Sequence, residues 1–387
     1  MEHELPARIR HLREVAEAVT RDVIAPEAER VDREAAWPER SLLALGDAGL
    51  LGLTVPRNAG GAGEGLTGLV AVTEAIGHGC ASSALCYAMH CVGAAVIAAK
   101  ATPSQRERYL EPIAAGRHLT TLSLSESGVG SNVYLSETSL RREGGDFIVD
   151  GTKQFVTNGG HADSYVVSTM SSGADAELGD FSCLVVDADA PGVSWMEPWQ
   201  GMGMRGNSSR GLRLDGARVP IQNLLGEDGD QVWYVFDIVV PYFLTAMAAT
   251  YLAVARSALE LTVHHVRERR FSHTGEALAD APVLQDTVAG MWARVEKTRR
   301  LVYHAARLGD AGDADALPAI LMSKADVAET VVSVTNDAMT LCGGAAYREN
   351  AELARLLRDA RASHVMAPTT HTLRQWAARS ILGRPLL

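Results

Sequence analysis

Two short segments hold the residues whose types and spacing could do chemistry. The first is Ser125-Glu126-Ser127-Gly128-Val129-Gly130-Ser131-Asn132, a polar, glycine-rich turn leaving an apolar run. Backbone N–H groups and hydroxyls in such a turn can cradle an anion. The second is Lys153-Gln154-Phe155-Val156-Thr157-Asn158-Gly159-Gly160, with an aromatic ring and a hydroxyl two residues apart. On a strand that spacing puts both on one face. The ring could stack on a flat ligand while the hydroxyl bonds its edge.

Other motifs read as inert. Gly201-Met202-Gly203-Met204-Arg205-Gly206 has the literal G-x-G-x-x-G spacing, but the residues after it alternate like strands and reach Pro220. A dinucleotide fingerprint needs a helix to start there. Asn207-Ser208-Ser209 is a glycosylation triplet that has meaning only in a secreted chain. No H-E-x-x-H, Cys/His zinc spacing, nucleophile elbow or P-loop is present, and adjacent His264 and His265 diverge on a helix, so no metal is expected. The five cysteines show no C-x-x-C pair, and the first residues do not form a leader pattern. Free, mostly buried thiols in a reducing cytoplasm are the expectation.

These residues must be positioned by a chain of 387 residues, with 36 Lys+Arg against 47 Asp+Glu and a net charge of −11. An apolar fraction of 47% with 21% charged residues excludes wholesale disorder. The acidic balance argues against nucleic acid as a partner. From Ile9 to Gly116 the apolar period is helical, and Thr102-Pro103-Ser104-Gln105 reads as a capped helix start. Short β-branched runs then follow: Thr120–Leu124, Phe147–Val149, Phe155–Thr157, Tyr165–Ser168, Cys183–Val186 and Leu212–Val219, with a hairpin turn at Glu143–Asp146. From Gln231 onward helices return, broken at Ser272–Asp280, Gly309–Asp315 and Gly343–Ala346. The uncharged stretch Ile238–Ala255 is long enough to span a bilayer, but Pro241, Thr245 and Thr250 interrupt it and it reads as a buried helix. The predicted class is α+β and mostly α. It comprises an all-helical domain over 1–118, an antiparallel β-domain over 119–228 and a helix bundle over 229–387.

The two segments together, in this order, resemble the T-E-P-x-A-G-S-D and K-x-W-I-T-N-G motifs of the acyl-CoA dehydrogenase flavoproteins. Further collinear matches are GLLGLTVPRNAGGAGEG (Gly49–Gly65), GMGMRGNSSRGLRLDGARVP (Gly201–Pro220) and LCGGAAYRENAELARLLRDA (Leu341–Ala360). The resemblance implies FAD, usually in a homotetramer where each flavin also touches a neighbouring subunit. It implies flavin and phosphate contacts from Leu124, Ser125, Gly130 and Ser131, a hydrogen bond to the ring from Thr157, and stacking by Phe155 in place of Trp. It also implies close backbone approach at Gly343 and Gly344, cofactor contact at Thr369, and a cross-subunit Arg at Arg269, preferred over Arg270. Thr340 and His371 stand where the family often has Gln.

The family removes a weakly acidic proton beside a thioester carbonyl, which needs a positioned carboxylate. At the usual base position this chain has Ala367, followed by Pro368; at the alternative one it has Phe243, beside Leu244 where many members carry Arg. Phe243, Leu244, Met366 and Ala367 would form a dry substrate pocket. Asp237, His90, His364 and Glu126 are the candidates for a relocated base, each with a bland structural alternative. Three readings follow. The first is dehydrogenation of an acyl thioester, on CoA or a carrier protein, with a non-standard base. The second is a flavin monooxygenase or oxidase acting on a small apolar or aromatic substrate. The third is a non-catalytic subunit of a hetero-oligomer.

Overall fold

A computed structural model describes residues 5–387 apart from 174, 177–178 and 230–231, so Gln231 lies outside the described residues. The helices are α1 Ala7–Val19, α2 Ala25–Arg33, α3 Glu39–Asp47, α4 Leu66–Gly79, α5 Ala81–Ala99, the short α6 Pro103–Gln105 and α7 Glu111–Ala114, α8 Val240–Glu268, α9 Pro282–Ala311, α10 Ala316–Cys342, α11 Glu352–Val365 and α12 Thr370–Ile381. The strands are β1 Thr120–Ser123, β2 Ser139–Glu143, β3 Asp146–Val156, β4 Ser164–Met170, β5 Phe181–Asp187, β6 Val193–Trp195, β7 Arg210–Pro220 and β8 Leu224–Leu225. Helices, sheets, then helices is the order read from periodicity.

Prolines explain where the helices loosen. Wide π-type turns at Thr20–Ile24, Arg106–Leu110 and Tyr234–Val239 run into α2, α7 and α8, each of which carries proline at its start. Pro26, Pro112 and Pro241 have no N–H to continue the i→i−4 ladder, so the preceding turn widens. Thr102 caps α6, with the reciprocal Thr102–Gln105 box in place. The hydroxyls that interrupt the apolar stretch of α8 are satisfied locally: Thr245 donates to Pro241 O at 2.7 Å and Thr250 to Ala246 O at 3.0 Å. The helices at Ala81–Ala99 and Tyr234–Glu268 are long and apolar enough to cross a membrane, but most of each apolar window is buried inside this fold.

The strands form two four-stranded sheets, in the orders β1-β4-β5-β8 and β2-β3-β7-β6. The expected all-antiparallel pairing needs correction, because β1 runs parallel to β4, with Thr120 opposite Ser164 and Ser123 opposite Val167. The chain leaves β1 to build β2 and β3 in the other sheet and re-enters beside β1 in the same direction. The segments 147–149 and 155–157 are not separate strands either. Both belong largely to β3, which continues through Gly151, where an added Cβ would lie 2.5 Å from Thr138 Oγ1. Close packing, not a break, accounts for that glycine. Glu143 and Asp146 pair across a two-residue turn, as expected.

Candidate active site

Between β1, β3, α5, α8 and α11 lies a cavity of about 510 Å³. Leu124, Ser125, Gly130, Ser131, Phe155, Thr157, Phe243, Met366 and Ala367 all line it. Leu244 does not; it is fully buried in α8 and turned away from the cavity, which corrects the expectation that it contributes to the pocket. Successive helical residues point about 100° apart, and here Phe243 takes the cavity side while Leu244 takes the core side. Arg269 follows the end of α8, exposed, with Nη1 on Arg270 O. Gly343 and Gly344 form the turn after α10, and Thr369 caps α12 by accepting from Thr372 N. In the single chain these four lie outside the cavity lining.

Phe155 and Thr157 meet the cavity by a different route from simple strand alternation. The β3–β7 register shifts between Lys153 and Val156, and Phe155 takes a left-handed backbone with φ of 55°. Such a conformation is strained for an aromatic residue and marks a site where the surrounding structure imposes it. The bulge leaves Phe155 64% exposed, edge-on to Trp199 with ring centroids 6.0 Å apart. Thr157 is buried, its Oγ1 3.4 Å from Ser209 Oγ and its carbonyl held by Thr121 Oγ1 at 3.0 Å. Asn158 locks the following turn: it accepts from Trp37 Nε1 at 2.9 Å and donates Nδ2 to Cys86 O at 2.9 Å.

Each relocated-base candidate is otherwise engaged or lies elsewhere. Glu126 reaches the cavity wall, but its carboxylate accepts from Ser136 Oγ at 2.7 Å, Glu137 N at 2.7 Å, Thr138 Oγ1 at 2.9 Å and, more closely, Lys153 Nζ. Burial pushes Glu126 up, and the Lys153 charge together with these donors outweighs it, holding the group below the usual carboxylate range. His90 accepts from Thr120 N on Nδ1 at 3.1 Å, so its Nε2–H donates to Leu51 O at 2.9 Å. Burial lowers it to about 4, so it stays neutral. His364 Nδ1 pairs with Thr370 Oγ1 at 3.2 Å outside the cavity. Asp237 is exposed and also outside it.

The inert-looking 201–206 segment contributes after all. It starts no α-helix, as expected, but Gly203 and Met204 line the cavity. Met204 N donates to Asp359 Oδ1 at 2.6 Å, and a Cβ on Gly203 would fall 2.3 Å from Arg358 O. Leu85 and Met89 of α5 complete the apolar floor. Their one sequence signal is an unusually long buried stretch, which does not say what the helix faces. The five cysteines are free and buried, and no cluster of metal-ligating residues occurs among the described residues.

The helical–sheet–helical order with a cavity between sheet and bundle is the architecture on which the comparisons with known proteins bear. The acyl-CoA dehydrogenase N-terminal, middle and C-terminal domains match residues 7–117, 121–217 and 245–382, and the chain belongs to this family. It is 32% identical to cyclohexane-1-carbonyl-CoA dehydrogenase of Geobacter metallireducens, over 97% of each chain. It is 31% identical to cyclohex-1-ene-1-carbonyl-CoA dehydrogenase of Syntrophus aciditrophicus, over 93% of this chain and 86% of the relative. Its fold superposes on butyryl-CoA dehydrogenase of Megasphaera elsdenii with a TM-score of 0.92 at 23% identity, over 98% and 99% of the two chains. The protein is an FAD-dependent oxidoreductase.

The cavity's own features suit that cofactor. Ser123 Oγ and Trp199 Nε1 are buried with no hydrogen-bond partner among the described residues, and both residues line the cavity. Buried polar atoms are rarely left without a partner, and a ligand in this cavity would complete these two. The turn at Ser125–Ser131 presents hydroxyls beside apolar walls, the mixture a flat heteroaromatic ring with a phosphate tail requires.

Proposed function

We propose that this flavoprotein oxidises a compact apolar or aromatic substrate by oxygen-dependent chemistry, as a monooxygenase or oxidase, without a carboxylate base. When bound, FAD would supply two-electron chemistry. An oxidase takes both electrons from the substrate and passes them to dioxygen as peroxide; a monooxygenase takes them from an external two-electron donor such as a reduced nicotinamide, one oxygen atom entering the substrate and the other leaving as water. One observation carries the reading: among the described residues Glu126 is the one carboxylate lining the cavity, and it is saturated by Lys153 and neighbouring donors. Ala367 and Phe243, which the family resemblance implies stand at the two base positions, line the same cavity. A methyl group and a phenyl ring cannot accept a proton, and removing a general base costs on the order of 10²–10⁴-fold. What these residues do is shape a dry space. Leu85, Met89, Phe243, Met366 and Ala367 would exclude water, Thr157 and Ser209 would offer hydroxyls to a bound cofactor, and Phe155 and Trp199 add aromatic faces to the lining.

A second reading, dehydrogenation of an acyl thioester, is supported by the relatives at 31–32% identity, which are named for that chemistry over nearly the whole length. Anaerobic mixing of the FAD-loaded protein with acyl-CoA thioesters, alicyclic ones included, separates the two. Retained yellow colour, with peroxide or an oxygenated product when reduced protein meets dioxygen, is the result expected here. Bleaching by a thioester overturns it in favour of dehydrogenation. Protein that binds no FAD, and is needed only beside a competent partner chain, would be the scaffold subunit instead.

The same proposal includes a cytoplasmic homotetramer and division of the chain at 118/119 and 228/229. Buried free thiols support the first part of it. So does an apolar groove of Leu259, Val263, Val266, Leu284, Val288 and the 57% exposed Trp292 on α8 and α9. The division is supported by β1 beginning at Thr120 and β8 ending at Leu225.

A further inference from the structure

Lys324 lies in the first third of α10 and is fully buried. Its ammonium has three N–H groups, and they go to three main-chain carbonyls: Ser363 O at 2.9 Å, Met366 O at 2.9 Å and Pro368 O at 3.0 Å. Among the described residues no carboxylate hydrogen-bonds to it. Burying a cation without a counter-ion is expensive, and a Leu or Met at this core position would fill the space at no desolvation cost. The charge is therefore retained for what it holds. Ser363 sits in the last turn of α11, where carbonyls lack intrahelical partners and the helix carries its negative end. Met366 and Pro368 bracket Ala367, and all three line the cavity.

We propose that Lys324 is the positioning residue of the active-site wall, its ammonium tying the end of α11 to the 366–368 segment and thereby fixing Met366 and Ala367 against the reaction space. One cation reads three carbonyls at once, so it sets both where α11 stops and how the chain turns across the cavity. Burial depresses Lys324 to about 8, in keeping with a site that offers carbonyl dipoles and no full negative charge. The inference rests on the cavity being the reaction site, but its geometry does not depend on which oxidation occurs there.

The test compares the FAD-loaded wild-type protein with Lys324→Met, which removes every donor, and Lys324→Gln, which restores two. Amide hydrogen exchange is read for peptides covering 362–369, where Met366 N donates to Ala362 O at 3.0 Å, against peptides of α5 as the internal control. The expected result is exchange about tenfold or more faster at 362–369 in the Met variant, with α5 unchanged, and substantial recovery in the Gln variant. The visible flavin band, which senses water at the ring, should change shape in the Met variant and return toward wild type in the Gln variant. Unchanged exchange at 362–369 overturns the proposal, and so does equal acceleration throughout the chain or failure of both variants to fold. Neither readout uses turnover, so a wrong assignment of the oxidation chemistry leaves it intact.

Discussion

At the residue scale, the most constrained group beside the cavity is the buried Glu126–Lys153 pair, which anchors the Ser125–Asn132 turn to β3. Removing only the cation strands a carboxylate in the interior, which typically costs about 3–5 kcal/mol. Lys153→Met should therefore lower the urea midpoint strongly and release FAD. The double change Lys153→Met with Glu126→Leu should cost clearly less than the sum of the two single changes, and additive losses would remove the pair from this role. Asp359 behaves oppositely. Burial raises it to about 6 even though Met204 N donates to it. An acid whose folded value exceeds its unfolded value of about 3.8 stabilises the fold at low pH, and the contribution disappears as pH rises through about 6. Asp359→Asn keeps an acceptor for Met204 N and abolishes the titration. Its stability at pH 7 should match or exceed that of wild type, and the part of the pH 4–6 slope due to this group, on the order of 2–3 kcal/mol, should vanish from unfolding curves.

At the element scale, the site depends on how the 201–209 loop and α11 meet. Gly203 approaches the Arg358 carbonyl so closely that an added methyl group would require one backbone to move. Arg358 in turn bridges to α2 through both Asp32 oxygens and to Met202 O at 3.1 Å. A Gly203→Ala change should cost about 1–3 kcal/mol by overpacking. It should also weaken FAD retention, measured as the flavin-to-protein absorbance ratio after gel filtration, because Met204 moves with it. An unaltered ratio together with an unaltered melting temperature would show that the loop has more slack than these contacts imply. The bulge in β3 belongs to the same scale, since one register shift decides that Phe155 leaves the strand face on which Thr157 would otherwise be its neighbour.

For the whole molecule, the exposed apolar groove between α8 and α9 predicts self-association. Trp292, central to that face and 57% exposed in the single chain, should be buried between copies. A Trp292→Asp change should convert a larger assembly into smaller species in sedimentation velocity, and FAD content should fall with it if the neighbouring chain completes the cofactor site. A mutant that sediments like wild type would assign the groove another purpose. Arg269 and the Gly343–Gly344 turn, which stand apart from the cavity in one chain, belong to this assembly-level prediction and not to the isolated fold.

The sequence alone determined the helix–sheet–helix order, the turn at 143–146 and the capped start at Thr102, each encoded locally by apolar period or by proline and glycine position. The nine residues that gather on the cavity are named through the resemblance of contiguous motifs to a known family. The family resemblance, counted along the chain, implies that Ala367 and Phe243 stand where an acid is usual. Only the tertiary structure decided that Leu244 faces the core and Phe243 the cavity, that β1 pairs in parallel with β4, and that Glu126 is consumed by Lys153. The same holds for the contact of Gly203 with Arg358 and for the three carbonyls gathered by Lys324. These depend on which side of a buried helix meets which distant segment, and a composition pattern buried on several sides carries no preferred direction. The chemistry-bearing types were legible as residues; which of them remain free to act is a property of their partners, and the partners lie far apart in the chain.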